Sequence, residues 1–513
     1  AEMYNHAAMV LNATTTSFTN HLDGDGVRVE LNPGSQFGYA LGAERSIFDG
    51  VTITGNDLNG ISIRSNISAT PLTEPASRTF FEINSNTSDT LIANNGRNGV
   101  QLNYAGGLHN VLIQGDTNPA LPANSTTIQS NTADGVNVVI GNYAQAGVAI
   151  DNVSVNDNTG DGIDFETTGA GAGTLTVHDS RILDNGGQGI FLGQSGTEIA
   201  SGNINADVTT SYIKGNKLNG VYVNFNGSLT QNNLTFIGND IDSNGEAGFF
   251  MQTNCVLLPE GREIAFNSFT DPFNPNLVNA PDWNTGNSTG IFGGGLLSNY
   301  LDLRAAQDTA LIFTNNLVHC NGTGLDINSG QGFVLHVGTN TRVSADVRDN
   351  TFTGNLGKDV EVISRVSLNS DGVPFAPGES VLGTEGDPTA TPPVPNEPST
   401  VFLDDTAQLY MRFTGNTGNA INLGNPFNNG AFYGPDPTGL KGLNPRSAQL
   451  FQIDDGYNLN APVNTFITNG VTQNIVNEFY TAGWYLAPSA NPLFPISPFP
   501  RSYFTSPGNP FAP

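Results

Sequence analysis

NDLNGISIRS, residues 56 to 65, holds an asparagine, a glycine four residues later, and then β-branched residues alternating with polar ones. Alone, it reads as one turn leading into one strand. Slid along the chain, it recurs at Asn95/Gly99, Asn131/Gly135, Asn158/Gly162, Asn185/Gly189, Asn216/Gly220 and Asn244/Gly248. From Gly60 to Gly248 the anchor glycines follow one another at 27 to 39 residues, a repeat period too short for a domain with its own core. Altered copies keep the frame at Leu22/Gly26, Cys320/Gly324, Asn355/Asp359 and Asn416/Ala420.

Apolar residues hold fixed places in this frame. One and three residues after the glycine come Ile61/Ile63, Val100/Leu102, Val136/Val138, Ile163/Phe165, Ile190/Leu192, Val221/Val223 and Phe249/Met251, with Leu325/Ile327 expected to follow. This is the alternation of a strand with one buried face. Three residues before the asparagine stands another apolar residue, from Ile53 and Ile92 to Ile241, Leu317 and Phe413, so a second short strand precedes the turn. A unit of two or three such strands cannot satisfy its own edges, whereas stacked units pair each edge with the coil above and below. The chain therefore reads as all-β, a parallel β-helical solenoid, with the asparagines in an interior ladder and the glycines at sharp turns where φ is positive.

Composition agrees with turns and strands. Glycine is frequent at 61 residues and charged residues make up only 12%. The net charge of −28 and the presence of only Lys214, Lys217, Lys358 and Lys441 as lysines weigh against nucleic acid, uronate polymers and anionic membranes as partners. No apolar run is long enough for a spanning helix, so no membrane insertion is expected. Cys255 and Cys320 form neither a disulfide framework nor a CxxC metal motif; they are read either as a pair between neighbouring coils or as free thiols.

The pattern resembles the right-handed parallel β-helix repeat family, the architecture of pectate-lyase-like enzymes, phage tailspikes and many bacterial surface proteins. The resemblance covers about residues 18 to 365 and resumes near 401 to 425. It divides the chain into a β-helix over 1 to 366, a Pro-rich loop or insertion over 367 to 400, a terminal coil over 401 to 430, and an irregular capping segment with a Pro/Phe-rich tail over 431 to 513. Polar loops are expected at 66 to 80 and 104 to 124, with a longer insertion at 253 to 300. The polygalacturonase-like Gly-His-Gly and Arg-x-Lys and the epimerase-like Asp-Pro-His are absent.

Outward positions, two and four residues after each anchor glycine, are where chemistry belongs on such a scaffold. Asp164 and Glu166 share one strand face at about 7 Å, within reach of paired-carboxylate glycoside hydrolysis. Phe191, Tyr222 and Phe250 follow on the next coils as a sugar-stacking stripe. Asp164 and Glu166 are the candidate catalytic residues, and the three aromatics the candidate carbohydrate contacts. His178 beside Asp179 and His319 beside Cys320 are read as structural, since neighbours on a strand point to opposite faces. No cofactor and no metal site is assigned, although DGDG at 23 to 26 and NTGDGID at 158 to 164 offer calcium-type oxygens. Sequons include Asn152 and Asn226.

The chain begins Ala1-Glu2, and a removed leader or a longer precursor is expected. Residues 1 to 20 already read as part of a coil, which leaves strand edges for another chain to pair. The leading expectation is a non-enzymatic extracellular or cell-surface rod of bacterial type, an adhesin or filament subunit that self-associates through open coil ends and its C-terminal tail. The alternative is a secreted polysaccharide hydrolase, lyase or carbohydrate-binding β-helix that uses the Asp164/Glu166 and aromatic face.

Overall fold

A computed structural model of the chain describes residues 2–3, 7–38, 45–66, 76–116, 125–141, 143–195, 202–227, 230–253, 307–322, 330–338, 341–356, 359–366, 408–418, 421–423, 448–453, 465–468 and 471–473. Strands joined by turns, bends and irregular links make up all of it, and no helix occurs among these residues. Three sheets, of 12, 14 and 13 strands, run along the stack, and from Ile61 to Asp242 each coil gives one strand to each of them. Pairing is parallel throughout, apart from Thr465–Thr468 with Val471–Gln473, which is antiparallel.

The repeat motif builds the first sheet. Ile61–Ser65, Val100–Tyr104, Val136–Ile140, Ile163–Thr168, Ile190–Ser195, Val221–Phe225 and Phe249–Thr253 lie side by side in one register. Ile61, Val100, Val136, Ile163, Ile190, Val221 and Phe249 are successive partners, and every one is fully buried. A buried file of this kind contributes about 1.5–3 kcal/mol per large side chain from water exclusion. The residue three before each ladder asparagine faces the same interior from the third sheet, Ile53, Ile92, Ile128, Val155, Ile182, Ile213 and Ile241 being paired and buried.

The second sheet carries the longest strands, including Arg78–Asn84, Leu108–Gln114, Gln145–Asp151, Ala172–His178 and Thr230–Ile237. It corrects the expectation of plain loops at 66 to 80 and 104 to 124, because 78–84 and 108–114 pair with each other in register. The insertion at 253 to 300 lies outside the described residues apart from Thr253, as do 367 to 400 and the tail. Beyond 430, Ala448–Ile453 and Thr465–Thr468 extend the second and third sheets, so strand stacking continues into the segment expected to be irregular.

At the corner between the third and first sheets, the asparagine amides form a continuous column. Asn158 is typical. Its Nδ2 donates to Asn185 Oδ1 on the next coil at 3.0 Å and to the Ile128 carbonyl on the preceding one at 3.2 Å. Its Oδ1 accepts from the backbone N and Nδ2 of Asn131 at 3.1 and 2.9 Å. Both donors and both acceptor sites are used, which makes a fully buried amide tolerable. The column runs through Asn56, Asn95, Asn131, Asn158, Asn185, Asn216, Asn244, Asn321 and Asn355. His21 closes one end, placing its backbone N and Nδ1 against Asn56 Oδ1, and Asp359 closes the other by accepting from Asn355 Nδ2.

A second column grips the same turn with reversed polarity. Asn59, Asn98, Asp134, Asp161, Gln188, Asn219 and Ala247 each donate a backbone N–H to a side-chain oxygen on the preceding coil, beginning with Asp25. A third lines the corner between the second and third sheets, where buried Ser180, Ser211, Asn239, Asn316, Asn350 and Asn416 follow one another.

Five details of the expected frame are corrected. Asn416 belongs to this last column, not to the Asn/Gly frame. The first coil uses His21 rather than Leu22, with one extra residue before Gly26, and Leu22 is exposed. Near 320 the ladder residue is Asn321, the buried apolar residue is Val318 instead of Leu317, and the next strand is Phe333–Gly338 rather than one at Leu325/Ile327. Extra residues inside that turn displace the strand.

The anchor glycines also serve a different purpose from the expected one. Positive φ falls on the residue just before each ladder asparagine, as at Gly55, Asn94, Ser130, Asp157, Asp184, Gly215, Ser243 and Cys320. None of Gly60, Gly99, Gly135, Gly162, Gly189, Gly220 and Gly248 has a positive φ, which corrects their reading as left-handed turn residues. What they share is a close neighbour on the following coil. A Cβ at Gly135 would lie 2.7 Å from the Gly162 carbonyl and 2.8 Å from Asn158 Nδ2. At Gly162 the same distances, to the Gly189 carbonyl and Asn185 Nδ2, are 2.6 and 2.8 Å. At Gly220 they are 2.6 Å to the Gly248 carbonyl and 2.7 Å to Asn244 Nδ2. Coil-to-coil approach therefore excludes a side chain.

Gly162→Ala is expected to cost about 2 kcal/mol or more through overpacking, while Ser130→Gly shifts stability by less than about 1 kcal/mol; denaturant midpoints showing the reverse order would refute this assignment. Asn158→Asp, nearly isosteric, loses both Nδ2 donors from the interior and should cost about 3 kcal/mol by the same measurement.

Candidate functional site

Because Ile163 and Phe165 point inward, Asp164 and Glu166 project from the outer face of the first sheet. Register then sets their neighbours. Asn137 lies beside Asp164 on one flank and Phe191 on the other, Tyr222 follows Phe191, and Phe250 follows Tyr222. The stacking thus brings all five candidate residues onto one surface.

At the acidic end, Asn137 Nδ2 bridges Asp134 Oδ2 at 2.9 Å and Asp164 Oδ2 at 2.7 Å. Asp164 Oδ1 is enclosed and has no hydrogen-bond partner. Burial, followed by the charges of Glu166, Asp134 and Asp161, pushes the Asp164 carboxyl up to about 9. Burial and then the Asp134 charge raise Glu166 as well. Asp161 rises to about 6, chiefly through burial, although the Gln188 N–H it accepts works the other way. The patch therefore pairs a carboxylic acid that keeps its proton at neutral pH with neighbouring carboxylates, the division of roles that acid catalysis on a glycosidic bond requires.

Next to it the rings form a file. Phe191 and Tyr222 lie 5.4 Å apart between centroids at 37°, and Tyr222 and Phe250 lie 5.3 Å apart at 34°. All are half-buried. Gln252 Nε2 donates to the Tyr222 hydroxyl at 2.9 Å and to Asn224 Oδ1 at 3.1 Å, fixing the middle ring. Gly193 separates the two halves of the surface: a Cβ there would meet Phe191 Cε1 at 2.8 Å and Glu166 Oε1 at 2.9 Å. A fourth ring, His336, packs edge-on to Phe250 at 5.1 Å. The sequence frame misses it because of the extra residues after Asn321, although the alternation of FVLHV at 333–337 carries the signal.

The calcium-type turns have backbone partners instead. Asp25 Oδ1 accepts from Asn59 N, and Asp161 Oδ1 from Gln188 N. His178 Nδ1 sits 3.0 Å from Asp151 on the preceding coil. Cys320 carries a free, exposed thiol, and Cys255 lies outside the described residues. His319 and Cys320 do not point apart as strand neighbours would, since Cys320 has φ +55° and the chain turns there. No helix among the described residues is long and apolar enough to cross a bilayer. Comparison with protein-family models, with curated proteins and with solved structures returns no match.

The raised Asp164 carboxyl has a signed consequence. Its protonated form stabilises the fold fully below the ordinary value of 3.8, and this contribution is lost as pH rises through about 9. Asp164→Asn should therefore gain stability over the wild type as buffer moves from mildly acidic to mildly alkaline, read from denaturant midpoints; a constant difference across that range refutes the burial of a protonated acid.

Proposed function

We propose that this chain is a non-enzymatic extracellular rod of right-handed, pectate-lyase-like architecture, a bacterial cell-surface, adhesin or filament subunit that meets neutral glycans along the outer face of its first sheet. The file of Phe191, Tyr222 and Phe250 at one ring per coil carries the reading. Rings half-open to water offer apolar aromatic surface of the kind that packs against the C–H groups of a pyranose. They stand on paired strands, so little freedom is lost on binding. Asp134, Asp161 and Glu166 beside them disfavour an anionic glycan. Self-association is assigned to the terminal coils and to the tail at 491 to 513, which lies outside the described residues.

One observation favours a second reading, a polysaccharide hydrolase or lyase. Asp164 holds its proton at neutral pH, as a general acid must. Against this, its Oδ1 is enclosed and its Oδ2 is bound to Asn137, so neither oxygen is free to reach a leaving group.

A neutral-glycan array with the full chain should show binding that weakens roughly threefold to tenfold in Phe191→Ala and in Tyr222→Ala. The same polysaccharides should remain uncleaved. Turnover that disappears in Asp164→Asn transfers the site to the enzymatic reading, and an array with no ring-dependent binding removes the glycan assignment. Negative-stain microscopy with and without residues 491 to 513 tests assembly separately: fibres only with the tail support it, and isolated rods in both cases refute it.

A further inference from the structure

On the outer edge of the third sheet, away from the aromatic file, three side chains of different chemistry converge. Asp242, His319 and Cys320 offer a carboxylate oxygen, an imidazole nitrogen and a thiol sulfur that all lie within 4.8 Å of one another. Stacking places them together: Asp240–Asp242 and Leu317–His319 are paired strands with Asp242 opposite His319, and the turn after His319 carries Cys320 to the same side.

The surroundings are those of a metal ligand set. His319 Nε2 is 2.9 Å from Asp240 Oδ1, so with its proton on Nε2 the ring leaves the Nδ1 lone pair toward Asp242 Oδ1, 3.4 Å away. A carboxylate behind an imidazole is the usual outer partner of a metal-binding histidine. Asp242 is buried, with Lys214 Nζ at 2.6 Å from its Oδ2 and the Ser243 hydroxyl at 2.6 Å from its Oδ1. These contacts hold the carboxylate in place, and Lys214 offsets part of the charge that a thiolate would add. Cys320 is exposed, which gives an ion a route in and leaves room for water as a further ligand.

We propose that Asp242, His319 and Cys320 form a binding site for one zinc-class divalent cation, with Asp240 as the positioning residue behind His319. Mixed sulfur, nitrogen and oxygen donors select zinc over calcium or magnesium. The ion binds the thiolate, and the thiol proton passes to solvent.

The test uses the metal-free full chain, titrated with Zn(II) against a chromophoric chelator in excess magnesium to mask the acidic surface, and separately with Co(II). One tightly held zinc per chain is expected, together with a thiolate-to-cobalt charge-transfer band. Cys320→Ser and His319→Gln should each weaken zinc by at least tenfold, Asp240→Asn by about tenfold to a hundredfold, and Cys255→Ser should leave binding unchanged. Thermal melts of the metal-free variants check that each is folded. Cobalt bound without the thiolate band, zinc affinity unaltered in Cys320→Ser, or no stoichiometric zinc in the wild type overturns the site.

Discussion

Each buried asparagine amide bonds to the coil before it and the coil after it, and much of the structure depends on that double attachment. β-pairing alone sets the spacing between coils at about 4.8 Å. The amide adds a rotational phase, because its Nδ2 and Oδ1 reach their partners only when successive turns lie directly over one another. Once the turns are in phase, the strands that leave them are in phase too. Outward positions then fall into files without any further interaction having to choose them.

Legibility in the sequence follows from where spacing is rigid. The first and third sheets flank the Asn-x-x-x-Gly turn at fixed offsets, so Ile61 and Ile53 declare their positions in the chain itself. The second sheet is separated from the first by corners of changing length, and no offset from Gly99 leads to Leu108–Gln114. Positive φ escapes a reading based on glycine because several residue types accept it, from Gly55 to Ser130, Asp157 and Cys320, while Gly135, Gly220 and their equivalents answer to close approach instead. Of the aromatic face, Phe191, Tyr222 and Phe250 could be read because their turns are uniform, whereas His336 and the Asp242–His319–Cys320 cluster lie around the lengthened turn that follows Asn321.

The solenoid tolerates such additions. Thr230–Ile237 pairs residue for residue with Gln307–Thr314 despite the long segment between the two coils, and Asp240 meets His319 across 79 residues of chain. A stacked architecture accepts excursions because each coil is read against its neighbour and not against its place in the sequence. Chemistry can therefore be assembled from remote residues, provided that the coils bearing them are adjacent.

The two closures of the asparagine column have their own consequence. His21 supplies the donors that a preceding asparagine would have given, and Asp359 absorbs the last outgoing one within its own coil. Neither end leaves a dangling amide to template another copy. The column is thus a ruler with both marks inscribed: further coils, or a second molecule placed end to end, can join through main-chain edges but cannot lengthen this amide file.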